Sequence, residues 1–129
     1  MHDSGVRTQP FGEGARGLLL YTPDGCMSAS IMAAHRTLFS TPNPRSAPPN
    51  ERAAAFDGYF SYAGRFKVLA GEVRHEVLVA LNPAQVGSLQ IRRAKLAGRR
   101  LELGAAESLP DGKGRRHVLE WRRVRRTLP

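Results

Sequence analysis

Residues 59–81 read YFSYAGRFKVLAGEVRHEVLVAL, and the stretch alternates. In its first half Tyr62, Gly64, Phe66 and Val68 interleave with Ala63, Arg65, Lys67 and Leu69. In its second half Val73, His75, Val77, Val79 and Leu81 interleave with Glu72, Arg74, Glu76, Leu78 and Ala80. Successive strand side chains point to opposite faces, so each half is a strand with one mostly apolar face. Ala70-Gly71 is the tight turn between them. Arg65, Lys67, Glu72, Arg74 and Glu76 suit the watered face. One polar group interrupts the apolar face: His75, between Val73 and Val77.

The same code repeats along the chain. Residues 16–21 form a short apolar strand, Thr22-Pro23-Asp24-Gly25 a β-turn, and residues 26–32 the returning strand. There Met27, Ala29 and Ile31 share one face. Residues 33–50 hold Pro42, Pro44, Pro48 and Pro49, which argues for a covering loop without regular structure. Asn50 then reads as the N-cap of a short helix ending at Asp57, with Ala53, Ala54 and Ala55 favouring the helix and Phe56 anchoring it. Residues 86–96 and 99–103 read as strands around an Ala97-Gly98 turn. A face carrying Gln90, Arg92, Ala94 and Leu96 opposes one carrying Leu89, Ile91, Arg93 and Lys95. A polar turn at 109–114 precedes a last strand, 115–124, with Leu119 and Trp121 on one face. Seven short strands with turn signals between them and one helix predict an all-β antiparallel barrel or sandwich.

At 129 residues the expectation is a single domain over 1–129, with an irregular lead-in over 1–15 and a frayed tail over 125–129. A chain of this length buries roughly two-thirds of its unfolded surface, enough for a core. Its one cysteine, Cys26, excludes an internal disulfide and reads as a small buried residue. No apolar run reaches the roughly 20 residues of a membrane-spanning helix, and the first residues lack the apolar segment of a signal peptide. A cytoplasmic protein is therefore expected. The net charge of +9 is uneven: residues 92–129 hold 12 Lys and Arg against 4 Asp and Glu. Such a basic third invites a nucleic-acid reading. Without an exposed aromatic ladder, that reading ranks below the others.

Several segments, in order, resemble one family. They are Gly17 to Gly25 (GLLLYTPDG) with Met27-Ser28-Ala29, then Phe56-Asp57-Gly58-Tyr59 with Tyr62, Gly64 and Phe66. Val73-Arg74-His75, Asn82-Pro83 with Val86-Gly87, Gln90-Ile91-Arg92-Arg93 and Leu119-Glu120-Trp121-Arg122-Arg123 follow. Together, over roughly residues 10–124, the chain resembles the bacterial and fungal lipocalin-like domain family. The resemblance implies an antiparallel lipocalin-like (calycin) β-barrel of about seven strands with an internal cavity. Most members lack an assigned biochemical role. The family pattern also opens with a strand bearing Gly-Thr-Trp, which this sequence does not contain ahead of Pro10-Phe11-Gly12. A barrel short of one strand has two edges. Three outcomes are open: the lead-in substitutes, a second copy pairs across the seam as a homodimer, or the barrel stays partly open.

Within such a barrel His75 points inward, as either a ligand-orienting or proton-moving group or a core histidine bonded to Tyr or Arg. Gln90 and Arg92 share the inner face. A buried guanidinium needs an anion, and a ligand carboxylate, enolate or phenolate would supply one. Tyr59, Tyr62 and Trp121 offer apolar bodies with polar tips for a cavity wall or a core. His35 with Arg36 sits in the covering loop, and His117 on a strand face. No phosphate loop and no His pair at metal spacing is present, so neither cofactor nor metal is expected. Two functions fit these residues. One is binding of a small apolar or amphipathic molecule, oriented by His75, Gln90 and Arg92. The other is an isomerase or cyclase acting by proton transfer, with His75 as base and Arg92 stabilising an oxyanion.

Overall fold

The computed structural model describes residues 6–8, 13–108 and 114–124. Its strands are β1 (Val6–Thr8), β2 (Arg16–Tyr21), β3 (Cys26–Met32), β4 (Tyr59–Leu69), β5 (Glu72–Ala80), β6 (Leu89–Ala97), β7 (Arg100–Ser108) and β8 (Gly114–Arg122), with one helix, α1 (Pro49–Asp57). All strands join one sheet in the order β1-β8-β7-β6-β5-β4-β3-β2. From β2 to β8 each strand pairs antiparallel with its sequence neighbour, and these seven curl into a nearly closed barrel. The expected all-β barrel with one short helix is what the chain forms.

Alternation places the core. Met27, Ala29, Tyr62 and Val77 are buried together, with Leu19, Tyr21, Phe60 and Phe66 packed against them. Burying side chains of this size stabilises by roughly 1.5–3 kcal/mol each. The central hairpin departs from simple alternation at one place. Ala63 pairs with Val79 and Gly64 with Val77, so Leu78 is an extra residue, a β-bulge. The bulge reverses the phase of β5. Val77 is fully buried, but Val79, read as inward, is 62% exposed, and Ala80 faces the core instead. Gly64 lies opposite the bulge, where a Cβ would overlap the Glu76 carbonyl oxygen and crowd the Leu78 amide at 3.0 Å. Only glycine lets the two backbones approach so closely.

Other expectations need correction. The lead-in is not wholly irregular, because Val6–Thr8 pairs parallel with β8, Val6 opposite Arg115. β1 thus covers the β8 edge, while β2 ends the sheet on its other side. Helix α1 starts at Pro49 with Pro48 as its N-cap, not at Asn50. Proline suits the first helical position because its missing N–H needs no partner there. Phe56 does not anchor the helix: it is exposed, and α1 buries no residue. The Pro-rich loop holds the helix instead. Arg36 donates to the Ala55 carbonyl at 3.0 Å, Arg52 to the Ala47 carbonyl at 3.0 Å, and the Ser40 amide to Glu51 Oε1 at 2.9 Å. That loop contains a 3-10 turn, Pro44–Ser46. Cys26, expected to be buried, begins β3 and is exposed. Val68 and Leu96 share the inner register but lie near strand ends and are exposed. Pro10-Phe11-Gly12, the turn over 109–113, the tail over 125–129 and the His117 side chain lie outside the described residues.

Candidate functional site: a cavity with a tyrosine–histidine–tyrosine chain in its wall

The seven antiparallel strands each contribute to the wall of an internal cavity of about 230 Å³. Leu19, Ile31, Phe60, Leu103 and Leu119 make most of that wall apolar. Its polar groups come from three adjacent strands: Tyr62 on β4, His75 on β5 and Arg92 on β6. Strand register brings them together. Val73 pairs with Arg92 and His75 with Gln90, so all four side chains emerge on one face.

His75 is 1% exposed, and both of its ring nitrogens are engaged. The Tyr62 hydroxyl lies 2.6 Å from Nδ1, and the Tyr21 hydroxyl 2.7 Å from Nε2. Burial, and secondarily the Arg92 charge, lower the imidazole to a pKa of about 4, so the ring is neutral at neutral pH. A neutral ring donates from one nitrogen and accepts at the other. Of the two phenols, one therefore donates to the neutral ring and the other accepts from it. The Arg92 charge lies near enough to Tyr62 and His75 to act on both electrostatically. Burial pushes both phenols above the usual tyrosine range, most strongly Tyr21. Both therefore stay protonated.

Arg92 is held in place from behind. Its guanidinium donates to the Gln90 Oε1 at 3.2 Å and the Ile91 carbonyl at 3.1 Å. The Gln90 amide in turn donates to Ser88 Oγ at 2.8 Å. Gln90 thus positions Arg92 and does not line the cavity, contrary to expectation. Tyr59 is not in the cavity wall either. It lies on the outer side of β4 beside Arg16, Leu18 and Met32, with the Arg36 guanidinium 5.4 Å from its ring centroid. His35 is exposed in the loop. Tyr21 is the residue that sequence reasoning passed over. The signal was present, since Tyr21 falls on the same alternate face as Leu19.

Trp121 lines the cavity from β8 and reaches the far edge of the sheet. A Cβ on Gly17 of β2 would meet its ring at 3.2 Å and the Ser30 carbonyl at 2.5 Å. The indole therefore spans the seam where β2 and β8 are not paired. Its Nε1–H is buried and has no acceptor among the described residues.

The model of the lipocalin-like domain matches residues 1–124. The chain belongs to the lipocalin-like domain family. No curated protein and no solved structure matches it. Outside the lipocalin-like barrel's cavity, among the described residues, no three His, Cys, Asp or Glu side chains gather as metal ligands, and no helix is long and apolar enough to cross a membrane. On the outer face of β6–β8 the basic residues alternate with acids: Lys95 pairs in register with Glu102, and Arg100 lies 3.3 Å from Glu120.

Proposed function

We propose that this lipocalin-like barrel binds a small apolar or amphipathic molecule in its internal cavity. The observation that carries this reading is a cavity apolar on most sides, with Tyr62, His75 and Arg92 grouped on one wall. Apolar surroundings supply most of the driving force, and a few fixed polar groups supply orientation. The test is native mass spectrometry of protein purified without denaturation, alongside Leu103→Trp, which fills the cavity. A bound small molecule on the wild type and none on the variant supports the reading. No adduct, together with no uptake of added 1-octanol, overturns it.

A second reading, an isomerase or cyclase acting by proton transfer, is favoured by the chain Tyr62–His75–Tyr21 with Arg92 in the same wall. With both His75 nitrogens occupied, His75 would act through Tyr62, which also lines the cavity. Arg92 would stabilise the oxyanion. A homodimer belongs to the same proposal. It would use β2, which ends the sheet and carries exposed Leu18 and Leu20. Light scattering reads that directly. A cytoplasmic setting is also part of it, consistent with a single cysteine and no internal disulfide.

A further inference from the structure

We infer that the ligand is a monoanionic amphiphile, with a carboxylate seated on the Arg92 guanidinium beside Tyr62 and a short apolar tail. This rests on the binding reading above.

Charge is the first argument. The Arg92 side chain is a cation. Its hydrogen-bond partners, the Ile91 carbonyl and the Gln90 amide oxygen, are both neutral. Among the described residues no carboxylate pairs with it. Among the described residues lining the cavity, Arg92 is the one charged side chain, and it is half-buried. A guanidinium in a largely apolar wall is an attractive seat for an anion.

Geometry is the second. A guanidinium has five N–H donors in a planar fork, and the two partners of Arg92 leave donors for a two-oxygen head. Ser88 and Gln90 fix that fork before any ligand arrives. Pre-organisation of this kind lowers the ordering cost of binding. The remaining wall of Leu19, Ile31, Phe60, Leu103 and Leu119 suits only hydrocarbon. An amine would meet Arg92 and, among the described residues lining the cavity, no carboxylate. A dianion would bring more charge than one guanidinium neutralises. The space, about 230 Å³, lies towards the small end of ligand pockets and limits the tail to a short chain.

The test compares three probes with one tail, octanoate, 1-octanol and octylamine, by calorimetry at pH 7 and low salt. Octanoate is expected to bind at least about tenfold more tightly than 1-octanol, the scale of one charge-assisted contact, and octylamine least of all. In Arg92→Met the octanoate-to-octanol affinity ratio is expected to fall to about one. Equal binding of octanoate and 1-octanol to the wild type overturns the head-group inference and leaves the cavity reading standing. A preference that survives in Arg92→Met also overturns it. Binding of none of the three sinks both readings together. If Arg92→Met does not fold, Arg92→Gln and the wild-type series decide the matter.

Discussion

The Tyr62 hydroxyl lies 2.6 Å from Nδ1 of His75, and both residues are nearly sealed from water. With the 2.7 Å contact from Tyr21 to Nε2, this makes His75 a fully bonded group in the barrel wall. Its removal therefore strands two phenols.

His75→Phe is expected to destabilise the fold by about 2 to 4 kcal/mol, because a buried polar group left without a partner costs about 1–3 kcal/mol. From sequence alone, a core-filling His75 would have predicted a smaller loss. Urea denaturation measures the difference. Adding Tyr21→Phe and Tyr62→Phe should recover much of the loss, since replacing all partners with apolar groups orphans nothing. A loss below about 1 kcal/mol in the single variant would show that the network contributes little.

Stability should also depend on pH through this ring. Its pKa is lowered in the folded state from 6.5 to about 4, so the unfolded chain takes up the proton first as pH falls. The contribution is complete above pH 6.5 and is lost as pH drops towards 4. The wild-type denaturation midpoint should fall across that window relative to His75→Phe. A constant difference between the two would contradict the buried neutral ring.

Gly64→Ala should be among the most damaging small substitutions, costing more than about 3 kcal/mol. The added Cβ overlaps backbone atoms of Glu76, which have no side-chain freedom to yield. Gly25→Ala is the control. It has positive φ but open space around it, so only the left-handed strain of about 1–2 kcal/mol applies. Thermal melts of the two variants side by side test the ranking.

Arg92→Met should leave the ligand-free protein about as stable as the wild type, within about 1 kcal/mol, because the half-buried guanidinium bonds only neutral groups and Met keeps an apolar stem. A large loss of stability would mean that Arg92 chiefly holds the barrel together.

Much of the fold was legible because its signal is local. Alternation in residues 59–81 marks the two central strands, and Met27, Ala29 and Ile31 fall on the inner face as their spacing requires. The bulge at Leu78 was not legible, since an extra residue shows only when two strands are laid side by side. That is why Val79 was assigned inward. The site was legible in part. His75 and Arg92 stand out as polar groups on an apolar face, but Tyr21 joins His75 across 54 positions of sequence, a contact that only the curl of the sheet creates. Tyr59 looked equivalent to Tyr62, yet three positions along a strand is an odd step and sends it to the opposite face.

The contact of Trp121 with Gly17 has a practical side. The chain holds one tryptophan, so every photon of indole emission comes from this ring. It touches both the cavity and the unpaired junction of β2 with β8. A molecule entering the barrel changes the polarity around the indole, and a parting of the two strands admits solvent to it. The protein thus carries an intrinsic optical gauge, whose emission wavelength follows filling and whose accessibility to a dissolved quencher follows opening, without any label attached.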